Sequence, residues 1–262
     1  MKVFTQEEYD AIERDEFGIK RLPKGDYTQI VLDKGFHLVA DWCKFGDWCK
    51  FGDWCKFGDG CKFGAECKFG DGCEFGSVCS FGSVCGFGDW CEFCTGCKFC
   101  TGCGFGNWCK FGDACNFGAL CEFGDWCEFD TVCKFGDGCE FGYGCELDDL
   151  CKIGAGCKLG RRCKFEESFV HGKNTSFEGG AVKNGTFLKV SRIESEMQDA
   201  YFFIDENDKF FVRIGCCSSD MDSFTEYTHH VYKGAWYERQ YLAACEYAKA
   251  VLPEMLEEVI NG

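Results

Sequence analysis

The chain has 262 residues, a formal net charge of −16 at pH 7 and an ordinary hydrophobic content of 46%. That length suits one large domain or two to three small ones, and the apolar fraction allows a buried core. Twenty-six cysteines, 29 phenylalanines and 35 glycines against two prolines signal an internal repeat, whereas no run of about 18 apolar residues suggests a membrane span.

Residues 1–40 read as an N-terminal cap. The start, Met1 to Glu8, lacks the apolar stretch of a secretory signal, so the expectation is a cytoplasmic protein with reduced thiols. Thr5-Gln6-Glu7-Glu8 is a capping box that opens a short helix reaching about Arg14. Gln29 to Val39 then suits a first irregular coil, with Val31 and His37 in the register of the cysteines that follow.

From Cys43 to Cys163 a cysteine recurs every six residues without a gap, which makes twenty-one hexads over residues 41–166. Two residues after each stands Phe in eighteen cases, then Leu147, Ile153 and Leu159 in the others. A unit reads Cys-x-Phe-Gly-Asp-Trp. Cys-x-Phe is a three-residue strand with two inward side chains, since strand side chains alternate. Gly-Asp-Trp is the corner, where glycine accepts unusual backbone angles and Asp bonds its own turn. A side that turns every six residues closes most simply as a triangle of 18, giving a mainly β, parallel β-helix of about seven coils. At about 4.8 Å per strand that rod is roughly 34 Å long.

The period sets columns. Trp54, Trp90, Trp108 and Trp126 fall on one edge, and Lys44, Lys62, Ser80, Lys98, Asn116, Lys134 and Lys152 form one outward stripe. The two other faces mix Lys, Glu and Gly. After Phe165 the register weakens, with Phe169 and Ala181 in cysteine slots and Phe177 in a phenylalanine slot, so the β-helix is drawn over residues 41–183. Residues 184–262 read as a small C-terminal α+β domain: strands at Thr186–Ile193, Tyr201–Ile204 and Phe210–Ile214, then helices at Ser223–Tyr232 and Trp236–Ile260, the second open to a break at Pro253.

Phe45-Gly46-Asp47-Trp48-Cys49-Lys50 resembles the hexapeptide repeat of bacterial transferases, with Phe for the aliphatic residue and Cys for the small one. The resemblance implies a left-handed helix. The whole chain is also similar to uncharacterised gut-bacterial and prophage proteins that carry Cys-x-Phe-Gly arrays before a tail like Tyr201-Phe202-Phe203 and Phe211-Val212-Arg213-Ile214-Gly215-Cys216. Here Cys217 and Ser219 stand where such tails have an aromatic and a glycine. That likeness implies a phage or mobile-element setting and no chemistry.

Acyl transfer, common among hexapeptide-repeat proteins, needs a catalytic histidine, but His37, His171, His229 and His230 all lie outside the hexads. Cys91, Cys94, Cys97, Cys100 and Cys103 mimic zinc knuckles, yet the register makes three of them core and two corner residues, which strand geometry holds apart. No cofactor is expected. Soft-metal binding by the cysteine ladder is one alternative function, and a tail site of Cys216, Cys217, His229 and His230 is weaker than its reading as packing and surface. Residues 41–164 hold 19 acids and 13 bases, too mixed for nucleic-acid mimicry or binding. The Trp edge is the strongest positive signal, since exposed indoles concentrate at interfaces; the competing reading is corner packing over Gly72 and Gly144. The leading expectation is a non-enzymatic, phage-associated binding or scaffold protein. It would contact a protein partner or itself, as a homo-oligomer, through Trp54, Trp90, Trp108 and Trp126, and would act against a host factor. The runner-up is a sponge for a nucleotide signal, with Phe211 and Arg213 as the pocket to inspect.

Overall fold

A computed structural model describes residues 1–32, 37–160, 163–165, 170–171, 175–177, 180–193, 198–205, 209–214 and 217–261. Each hexad contributes a two-residue strand such as Lys62–Phe63, lysine exposed and phenylalanine buried. The cysteine lies just before the ladder, so the strand is one residue shorter than the Cys-x-Phe pattern suggests. Strands pair in parallel with a partner 18 residues away, as Lys44 with Lys62 and Phe45 with Phe63. The rod is therefore three-sided.

Among the described residues, two of its sheets have nine strands, and the third has twelve, of which the last four are antiparallel. The parallel strands make about eight turns rather than seven. The extra turn comes from Lys20–Leu22, Asp26–Tyr27 and His37–Val39 at the start and from Val170–His171 and Thr175–Phe177 at the end. Non-repeat residues join the ladder because an open coil edge leaves strand groups unpaired. His37 fills a cysteine slot and is fully buried, but Val31 is exposed and takes no part in the core.

The interior consists of three phenylalanine columns. Rings stack within a column, Phe63 on Phe81 at 4.9 Å, and meet edge-on between columns, Phe63 against Phe69 at 5.0 Å. Both geometries suit the aromatic quadrupole. Phe4 and Tyr27 extend one column into the cap, with centroids 4.6 Å apart and Tyr27 5.5 Å from Phe45. Helix α1, Gln6–Asp10, carries the expected capping box and seats Tyr9 in the core; it ends short of Arg14.

Two corner assignments change. The glycine after each phenylalanine lacks the left-handed backbone; a side chain at Gly64 would strike the preceding coil, with Asp47 N at 2.6 Å. The left-handed angles occur two residues later, at Trp48, Trp54 and Trp90 among others, with φ of 63°, 60° and 62°. The carboxylates of Asp47 and Asp89 do not close their own turns either. Asp47 Oδ1 accepts the amide of Ala65 at 2.7 Å and Asp89 Oδ1 that of Asn107 at 2.7 Å, one coil on. Corner amides, which the strand ladder leaves out, thus gain acceptors.

The tail adds its strands to the third sheet. Thr175–Phe177 pairs antiparallel with Gly180–Ile193, which carries Ala181 opposite Ser176. Gln198–Asp205, Phe210–Ile214 and the unanticipated strand Cys217–Asp220 follow. Phe202 and Ile204 face helices α2, Met221–Val231, and α3, Trp236–Asn261, while Tyr201 and Phe203 pack on the rod's core. Helix α3 runs through Pro253 without a break. Phe169 lies outside the described residues.

Candidate interaction surface

The rod presents three faces and three corner edges. On the Trp edge, the indoles of Trp90 and Trp108 stack at 5.3 Å, and Trp108 stacks on Trp126 at 5.3 Å. Tyr143 closes the row edge-on, 5.1 Å from Trp126; its place before Gly144 in the same corner was the sequence signal for it. Trp54 stands two coils earlier and lies over Gly72, and Trp126 lies over Gly144, where an added side chain would enter the ring. Trp54, Trp90 and Trp108 are 63%, 55% and 40% exposed, and Trp126 is partly buried. Corner packing and exposure therefore coexist on this edge.

Each of these tryptophans sits at positive φ, where a non-glycine residue costs roughly 1–2 kcal/mol. Trp42, Trp48, Val84 and Leu120 do the same on the other edges and are equally exposed. They carry the same hexad position as the Trp edge, which is how they are recognised in the sequence.

The faces differ in charge. The lysine face carries Lys44, Lys62, Lys98, Lys134 and Lys152 with Ser80 and Asn116 between them, as the spacing predicted. The second face neutralises itself, with Lys56–Glu74 at 2.6 Å, Lys110–Glu128 at 3.2 Å and Lys164–Glu146 at 2.6 Å. The third face reads Lys50, Lys68, Gly86, Gly104, Glu122, Glu140 and Lys158. Its two adjacent glycines open a shallow groove of about 550 Å³, bounded by Lys68 and Glu122.

The thiols point inward and are occupied. Cys109 donates to the carbonyl of Gly88 at 3.4 Å, and the same contact recurs down every column, as from Cys97 to Gly76 at 3.4 Å. Burial opposes ionisation throughout, whereas neighbouring thiols act in both directions: Cys61 and burial push the Cys43 thiol up, and Cys49 and Cys85 push the Cys67 thiol down. Cys94 and Cys100 are exposed at corners, where their carbonyls accept Cys115 and Cys121 at 3.5 Å as the glycines do elsewhere. Among the described residues, no group of three or more His, Cys, Asp or Glu is placed to hold a metal ion.

In the tail, Arg213 is buried and its Nη2 donates to the carbonyl of Gly160 at 3.1 Å. Phe211 packs against the rod's core. Both side chains therefore help seat the tail on the end of the rod. His229 Nδ1 lies 2.8 Å from Glu238 on the helical surface, and Cys216 lies outside the described residues. No described helix is long and apolar enough to cross a membrane. Set against protein-family models, curated proteins and solved structures, the chain finds no match in any of the three comparisons.

Proposed function

We propose that this chain is a non-catalytic binding and scaffold protein, whose rigid rod holds the Trp edge as a protein-contact surface for a partner or for a second copy. One observation carries the reading. Three indoles stack in parallel, Trp90 and Trp108 being 55% and 40% exposed and Trp126 partly buried, on backbone that disfavours any side chain at all. Glycine would serve these corners without strain, as it does at Gly72 and Gly144 of the same column. Large, rigid, amphipathic side chains held in a fixed row are the usual material of interface hot spots. The resemblance to prophage arrays directs the search for a partner other than self towards host proteins.

The test is site-specific photocrosslinking in cells that express the full chain, with a benzophenone amino acid replacing Trp90, Trp108 or, as a control on the self-neutralised face, Lys56. Discrete crosslinked species are expected from positions 90 and 108 and not from 56. Equal labelling from all three positions, or none from the Trp edge, sinks the reading.

A further inference from the structure

The glycine-bearing face has a charge order that the other two lack. From Lys50 to Glu140 its outward column is Lys50, Lys68, Gly86, Gly104, Glu122, Glu140, two cations, two gaps and two anions, and Lys158 follows, paired with Glu140 at 2.6 Å. Inverting that order end to end exchanges every cation for an anion. We propose that this face is an interface with a second copy of the chain, the two rods antiparallel. The two-fold axis lies in the interface along the strand direction, midway between the Gly86 and Gly104 strands. This deepens the reading of the rod as an interaction scaffold and rests on it.

The rotation sets Lys68 of each copy opposite Glu122 of the other, Lys50 opposite Glu140, and Gly86 opposite Gly104. Closed two-fold contacts are isologous, so one complementary pair occurs twice. A parallel arrangement fails, because it sets Lys68 on Lys68 and Glu122 on Glu122. From Lys44 to Lys152 the lysine face holds no anion to set against its cations, only Ser80 and Asn116 between them. The second face reads Lys56, Glu74, Glu92, Lys110, Glu128, Glu146, Lys164, the same from either end, so an antiparallel copy centred on it sets like on like.

Three further observations agree with the third face. Among the described residues Lys50, Lys68 and Glu122 make no ion pair within the chain, so that Lys68 with Glu122 is the central pair, while Glu140 is held by Lys158 at 2.6 Å and the second face has largely used its own charges. Nothing lies within 4 Å of a side chain added at Gly86 or Gly104, so no contact within the chain requires glycine there. Glycine inside a strand otherwise weakens it and often marks where another backbone comes close. Finally, Trp90 and Trp108 stand at the rim in the same two coils as Gly86 and Gly104, and the rotation brings each indole pair against the other.

Six coils at about 4.8 Å, on a face some 15–20 Å wide, bury roughly 500 Å² per copy. A total of about 1,000 Å² is near the lower bound of a specific interface, so dissociation is expected to depend on concentration and on salt.

The experiment is sedimentation equilibrium of the full, reduced chain, with thermal unfolding by circular dichroism as the folding control. The wild type is expected to dimerise. Lys68→Glu and Glu122→Lys should each weaken the dimer at least tenfold without changing the unfolding temperature, because both side chains are solvent-exposed. The double variant should restore it. Gly104→Lys, which fills open space, should also leave the fold intact and prevent pairing. A monomeric wild type, single variants that pair normally, or a double variant that stays monomeric overturns the proposal. A monomeric chain that still crosslinks another protein from position 90 removes this interface and leaves the reading of the Trp edge standing.

Discussion

The thiol of Cys109 stands 3.4 Å from the carbonyl oxygen of Gly88, a residue 21 positions earlier and one coil below. Within a hexad the other inward-lying carbonyls receive amides of the next coil, as Cys91 from Lys110 at 2.9 Å and Phe93 from Gly112 at 2.8 Å. The glycine carbonyl receives a thiol instead. Cysteine is thus a filler of the right volume and also a donor to a backbone group that burial would otherwise penalise.

Replacing Cys109 by Ala should therefore cost about 1–3 kcal/mol, since it leaves both a gap and an unmet acceptor. Cys94→Gly, at an exposed corner whose equivalents are glycine, should be nearly neutral. Chemical unfolding in reducing buffer measures both. Equal stability of Cys109→Ala and wild type would remove the donor role.

Glycines on the rod should separate into two classes. A side chain at Gly64 meets backbone of the preceding coil at 2.6 Å, whereas one at Gly86 meets nothing within 4 Å. Gly64→Ala is expected to destabilise by about 2 kcal/mol or more through overpacking. Gly86→Ala should hold or raise the unfolding temperature, because strand glycine costs about 0.5–1 kcal/mol relative to Ala. Matching losses at the two positions would contradict the geometry.

Val132 is a β-branched residue at φ 65°. Its branched Cβ crowds the backbone there, whereas Asn tolerates the left-handed region. Val132→Asn should stabilise the rod by roughly 0.5–1 kcal/mol despite the lost apolar contact. Thermal unfolding decides it, and a lowered midpoint would show that side-chain packing outweighs the strain.

The raised thiols of Cys245 and Cys43 predict alkaline lability. Burial lifts Cys245 to about 11 from the 9.0 of a free thiol, and Cys61 with burial raises Cys43. A folded pKa above the unfolded one gives stability that is complete below the unfolded value and lost as pH rises through the folded value. For Cys245 that window runs from pH 9 to about 11. Unfolding temperatures under reducing conditions should be level from pH 7 to about 8.5 and fall above it. Cys245→Ala should make the decline shallower. A flat profile to pH 11 would show that the folded thiols ionise as freely as the unfolded ones.

Much of the architecture is legible in the chain because a solenoid repeats one local decision. The spacing of Cys43 to Cys163 sets the strand, the turn and the 18-residue coil, and with them the Trp and lysine columns. The capping box at Thr5 and the strand of Phe210–Ile214 are legible for the same reason, since period and capping act within a few residues. Other features depend on contacts between coils. Asp89 reaches Asn107, Cys109 reaches Gly88, and Gly64 abuts Asp47, all at separations of 17 to 21 residues. Hexad spacing leaves the axial offset of those contacts open. The closing of the rod's end by Tyr201 and Phe203, and the alignment of Gly86 and Gly104 between Lys68 and Glu122, likewise emerge only when the coils are stacked. Periodicity specifies what one coil looks like; only packing decides what consecutive coils, and the tail upon them, bring together.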